Sequence, residues 1–216
     1  MAIEALALGA CFYSPLHKYI DDIKYTRPSP HSTAGQATNL VDLLNKVRTD
    51  ERFDGLYPHR SGDMTKVFAE REEAFLEYWN AWEIVDPKAQ FHAAQQVAVA
   101  LVTGTTAPED ARLDFFLVHV LTSSHAIRIL LPLVPVRFHV NLLRQWWLFA
   151  LAVYIAQTRP EIKATLPSET LEQQGRDWKS VVHAALTGPW SKDAHFVKGR
   201  AWRQGLATSH VERGIG

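Results

Sequence analysis

Apolar positions recur with a helical period along most of the chain, and Pro, Gly and short polar residues punctuate them. Residues 2–13 read as the middle of a helix, with no capping residue ahead of them. Pro28, Pro30, Gly35 and several Ser and Thr make residues 26–36 an irregular loop. Phe68, Phe75, Trp79 and Trp82 fall on one stripe of a helix whose other face carries Glu70, Glu72, Glu73 and Glu77, a run that reads as a solvated face. Asp86-Pro87 is a cap followed by proline at the first helical position, and Thr103-Gly104 stops that helix. Thr106 and Glu109 predict a capping box for the next helix, which runs through Phe115-Phe116-Leu117-Val118-His119 to about Leu131, ahead of Pro132. Pro135 and Arg159-Pro160 bracket a long helix through Trp146-Trp147-Leu148-Phe149 that is apolar nearly all round, hence central. Ser168 opens a further helix with Leu171, Trp178, Val182 and Ala185 facing inward. Alternation typical of strands never persists, so the pattern predicts an all-α, multi-helix globular array with its most buried helices in the second half.

Composition narrows the classes. A chain of 216 residues can bury a sizeable core as one helical domain, spanning residues 1–216. Its 23 basic and 23 acidic residues cancel without like-charge blocks, which points away from nucleic acid and anionic membranes as partners. The uncharged stretch 145–158 is too short to span a bilayer, which takes about 20 apolar residues. A single cysteine, Cys11, excludes a disulfide framework and suits an intracellular, cytoplasmic setting; no signal peptide is visible.

Several familiar chemistries have no footprint. There is no Gly-rich turn for a dinucleotide, no Walker-type loop, no Gly-x-Ser-x-Gly elbow, and no His-Glu-x-x-His or di-iron Glu-x-x-His pair. Reactivity, if any, rests on dispersed histidines, of which there are ten. The sharpest candidate lies near the C-terminus. Ser191 is a suitable N-cap, and a helix from it sets His195 and Lys198 at i and i+3 among Ala194, Phe196, Val197, Ala201 and Trp202. One reading is a hydrogen-bonded core histidine beside a lysine that reaches to solvent. The other is a metal site, with His195 a neutral imidazole ligand and Lys198 a desolvated amine able to take up CO2 as a carbamate. His119 and His125 share an apolar helix but point about 120° apart and lie about 9 Å apart along it, unless Ser123-Ser124 kinks the helix. Each also reads as a core histidine. His17, after the first helix, faces a pocket or solvent. Arg144, beside Trp146-Trp147, suits either a structural ion pair or the neutralising of an acidic phenol or enolate.

A set of strings in order then carries a resemblance: Leu16-His-Lys-Tyr-Ile-Asp-Asp, Lys46-Val-Arg-Thr-Asp-Glu-Arg-Phe-Asp-Gly-Leu, Leu76-Glu-Tyr-Trp-Asn-Ala-Trp, Asp114-Phe-Phe-Leu-Val-His-Val-Leu-Thr-Ser-Ser-His-Ala-Ile-Arg, Leu143-Arg-Gln-Trp-Trp-Leu and Lys192-Asp-Ala-His-Phe-Val-Lys. Together they resemble the questin oxidase-like family of aromatic polyketide pathways, from about Ala5 to Arg203. Members of that family are longer, and the chain resembles their C-terminal portion, in keeping with its uncapped start. The resemblance implies an O2-dependent, Baeyer–Villiger-type opening of a quinone ring in an anthraquinone-like substrate. It also implies a mononuclear non-haem Fe(II) held by several histidines and a carboxylated lysine. Carried onto this chain, Lys198 is the carbamate and His195 one imidazole; His119 and His125 compete for another, and His17 is a lesser candidate. His125 and Arg144 are the residues expected to act on the substrate. No flavin fingerprint offers another route to oxygen chemistry, and no motif answers whether NADPH takes part. A second expectation, of another class, is a helical interaction module that keeps the fold without catalysis.

Overall fold

The structure, a computed structural model, describes residues 15–26, 39–105, 113–163, 178–188 and 191–192. A 3-10 turn, Pro15–His17, leads into α1 (Lys18–Asp21) and α2 (Ile23–Thr26). There follow α3 (Leu40–Thr49), a second 3-10 turn at Glu51–Phe53, α4 (Thr65–Glu70) and α5 (Glu72–Ala81). The three longest described helices are α6 (Pro87–Gly104), α7 (Phe115–Leu130) and α8 (His139–Ala156), and α9 (Trp178–Thr187) comes last. No strand occurs among the described residues, and the fold is all-α, as the pattern predicts. No described helix is long and apolar enough to cross a membrane.

Helix α8 is the hub. It packs against α1, α4, α5, α6 and α7. Leu143, Arg144, Trp146, Trp147 and all seven residues from Ala150 to Ala156 are buried on it, which is what an all-round apolar helix requires. Its indoles are also hydrogen-bonded. Trp146 Nε1 donates to the Val120 carbonyl of α7 (3.2 Å) and Trp147 Nε1 to the Tyr78 carbonyl of α5 (3.3 Å). In return Trp79 of α5 donates to the Arg144 carbonyl at 2.8 Å. Each bond gives a buried N–H an acceptor and sets the rotation of one helix against another.

The caps follow the sequence at α6 and depart from it at α7. Asp86 accepts from the amides of Lys88 and Ala89, and Pro87 occupies the first helical position. For α7 the cap is Asp114, which accepts from the amides of Phe116 (2.9 Å) and Leu117 (3.0 Å), not the Thr106/Glu109 box. Residues 106–112 lie outside the described residues, and Asp114 is the carboxylate directly ahead of the apolar run. The expected single helix with the Phe68/Trp79 stripe is divided at Arg71, whose φ of −139° leaves helical space. There the guanidinium donates to the carbonyls of Arg52 and Glu70. All four stripe residues are nevertheless buried, with Trp82 just past the end of α5. Nor is the glutamate run uniformly solvated. Glu70 and Glu73 are exposed, but Glu72 accepts from Lys18 Nζ (2.7 Å) and Tyr19 OH (2.6 Å), and Glu77 from Arg52 (2.8 Å). These two carboxylates bind α1 and the Glu51–Phe53 turn to α5.

Arg159 closes the hub helix. Thr158 and Arg159 have φ of 65° and 53°, a left-handed turn that a β-branched residue adopts only under constraint. The turn aims the guanidinium at the carbonyls of Val47 (3.1 Å), Arg48 (3.2 Å) and Asp50 (2.8 Å), the end of α3, and at Asp54 Oδ1 (2.6 Å). Carbonyls at a helix end are short of intrahelical donors, and here one side chain adds to the backbone bonds that Val47 and Asp50 accept from Asp50 and Phe53. Of the remaining expectations, the helix over 2–13, the loop after Thr26, the start of the helix at Ser168 and the helix from Ser191 lie outside the described residues; the part of α9 that is described has Val182 half-buried.

Arg159→Ala is expected to destabilise the fold by about 2 kcal/mol, the scale of lost charge-assisted hydrogen bonds. Arg159→Lys should recover less than half of it, since one ammonium cannot serve both the carbonyls that Nη1 reaches and the Asp54 carboxylate that Nη2 reaches. Urea denaturation of the three proteins checks this.

Candidate functional site

Helix α7 carries His119 and His125. Ser123 Oγ donates back to the Val120 carbonyl (3.0 Å) and Ser124 Oγ to the Leu121 carbonyl (2.7 Å), yet α7 runs unbroken to Leu130. The serines therefore bond within the helix and do not bring the two imidazoles together. Both rings are half-buried.

Their proton positions follow from what each ring meets. His119 Nδ1 lies 2.7 Å from the Phe115 carbonyl, which only accepts, so Nδ1 carries the hydrogen and the lone pair of the neutral ring is on Nε2. A carbonyl behind one nitrogen and a lone pair on the other is the arrangement found in metal-ligating histidines. The ring also rests 4.5 Å from that of Phe115. His125 is the converse. Arg128 Nη2, which only donates, lies 3.1 Å from His125 Nδ1, so Nδ1 accepts and Nε2 carries the hydrogen. Burial, and then the Arg128 charge, hold its pKa below the ordinary 6.5. In this geometry His125 is a neutral hydrogen-bond donor through Nε2.

Arg144 is set differently. It projects from the hub helix and is 2 % exposed. Nη2 donates to Asn80 Oδ1 at 2.8 Å and, more weakly, to the Tyr25 carbonyl at 3.4 Å. The guanidinium lies over the Trp79 ring, 4.2 Å from its centroid. Among the described residues no carboxylate pairs with it, so they do not form the structural ion pair expected as one reading of this arginine. Burial pulls its pKa down to about 10, which leaves it a cation at neutral pH. Tyr19 extends this wall, its ring 4.9 Å from Tyr25 and 6.0 Å from Trp79. Asn80 and Tyr25 are neighbours of Arg144 that sequence reading did not find. They stand 64 and 119 residues from Arg144, and no local spacing links them.

His17 is half-buried at the end of the first 3-10 turn, next to Lys18. His195 and Lys198 lie outside the described residues. Among the described residues no group of three or more His, Cys, Asp or Glu comes together to hold a metal, so His17, His119 and His125 do not form one centre. A surface groove of about 550 Å³, lined by Glu51, Asp54, Glu70 and Glu73 with Arg52 and Arg71, holds none of the candidates.

The questin oxidase-like family model matches residues 1–200 of this chain. Searches among curated proteins and among solved structures return no match. The chain belongs to the questin oxidase-like family. That makes it a protein of oxidoreductase chemistry on aromatic polyketides, with a small aromatic molecule as the substrate class.

A histidine whose folded pKa lies below 6.5 contributes stability that is complete above 6.5 and is lost as the pH falls below it, because the unfolded chain takes up the proton first. The urea midpoint is therefore expected to fall more steeply below pH 6.5 in the wild type than in His125→Gln. Parallel curves for the two proteins would contradict the geometry given above.

Proposed function

We propose that this chain uses dioxygen to open a ring of an anthraquinone-like polyketide, with a non-haem iron(II) as its cofactor. Family membership across residues 1–200 is the observation that carries the reading. His195, a carboxylated Lys198 and His119 are the proposed ligands, with His17 a further candidate. The tautomer of His119 supports its place in the set, and that of His125 argues for a different role there. The described residues supply no complete centre, so the set draws on the C-terminal pair.

Closed-shell aromatics react slowly with triplet oxygen, and bound iron(II) with nitrogen and oxygen ligands supplies that reactivity. The side chains supply the rest. A lysine takes up CO2 only as the neutral amine, so a desolvated Lys198 is suited to carry a carbamate oxygen. His125, neutral with a hydrogen on Nε2, is suited to hold a proton for an oxygen of the substrate. Dry aromatic walls such as Tyr19, Tyr25 and Trp79 suit a flat ring system.

Elemental analysis of the 216-residue chain, reconstituted with iron(II) under anaerobic conditions, is expected to find about one iron per chain, with loss of the metal in His195→Ala. Lys198→Ala should abolish turnover of a hydroxyanthraquinone under air while the far-UV circular dichroism is unchanged. NADPH consumption, followed in the same assay, decides whether a reductant takes part. A folded chain that takes up no iron and leaves quinones intact would instead favour the non-catalytic interaction module.

A further inference from the structure

Among the described residues, the buried side-chain atoms that lack a hydrogen-bond partner are Trp82 Nε1, Gln95 Nε2 and Arg144 Nε. All three are N–H donors. They sit at the end of α5, on α6 and on α8. A stranded buried donor is expensive, and a buried cation without a counter-charge more so. Among the described residues Arg144 is both, and it occupies the most buried of their helices.

We infer that Arg144 is the receptor for an aromatic oxyanion, a phenolate or carboxylate, whose oxygen takes the unused Nε–H and whose charge neutralises the guanidinium. Several features fit that ligand. Asn80 and the Trp79 face hold the guanidinium in place, so its planar fork is ordered before anything binds. Trp79, Tyr19 and Tyr25 border it with rings suited to stacking.

Access lies on the side of Tyr25. Its carbonyl makes the longer of the two hydrogen bonds of Arg144 Nη2, 3.4 Å, and Ile23 beside it is 63 % exposed. Lys18 and Tyr19 bind Glu72, and the Tyr19 ring packs on Phe68 and Trp79. The aromatic part of this inference rests on the family reading, whereas the oxyanion site rests on Arg144 alone.

Binding to the iron-free chain separates this inference from that reading, because it needs no turnover. The probes are 4-nitrophenol, whose phenolate is coloured, its neutral ether 4-nitroanisole, and anthraquinone-2-carboxylate. The wild type is expected to lower the apparent pKa of bound 4-nitrophenol and to prefer the phenolate over the ether by about tenfold or more, the scale of a charged hydrogen bond. Arg144→Met should remove the preference. Arg144→Lys, which keeps a buried cation but not the fork, should lose most of it. Comparing the anthraquinone carboxylate with nitrophenol tells which oxyanion the site takes. Equal binding of phenolate and ether by the wild type would overturn the inference, as would a preference that survives in folded Arg144→Met. Binding as expected in a chain that never oxidises a quinone would leave this site standing and remove the proposed activity.

Discussion

Everything in this fold leans on α8. A helix with apolar side chains all round is stable only when other helices cover every side of it, and α1, α4, α5, α6 and α7 do so. The covering is directional because indoles are not plain hydrocarbons. Trp146, Trp147 and Trp79 each bury a large ring whose N–H must find an acceptor, and each finds a helix carbonyl on a neighbour. Carbonyls have two lone pairs, so one that already serves its own helix can accept a second donor. The hydrophobic effect brings the helices together, and these few bonds select the rotation at which they lock.

The same helix carries the least comfortable group in the molecule. Arg144 is buried with a neutral amide, a distant carbonyl and a ring face for company. Two other described arginines are well satisfied: Arg159 gathers three carbonyls and a carboxylate, and Arg52 bridges Asp50 and Glu77. The contrast marks two uses of one side chain: these two join elements together, and the role inferred for Arg144 is to meet a charge from outside.

On α7 the chemistry of two histidines is decided by one neighbour apiece. The Phe115 carbonyl places a hydrogen on His119 Nδ1, and the Arg128 guanidinium keeps one off His125 Nδ1. Six residues apart on one helix, the two imidazoles present opposite faces of the same acid–base chemistry. Both outcomes arise from contacts within a single turn.

The helical period, the Asp86-Pro87 start and the all-round apolar run through Trp146-Trp147 were sufficient to place the long helices, because burial and capping are written in local residue order. Family membership was legible for a similar reason: strings such as Leu143-Arg-Gln-Trp-Trp-Leu persist as words. Tertiary structure alone decided what meets across the core. It divided the aromatic stripe at Arg71, because that guanidinium found carbonyls outside the helix, and it drew Glu72 and Glu77 out of a solvated face into bonds with Lys18, Tyr19 and Arg52. Among the described residues it left Arg144 without a carboxylate, although acidic residues are plentiful there. Pattern records which side chains turn inward. Which partner waits there is set by how separate helices dock, and that depends on residues dozens of positions apart.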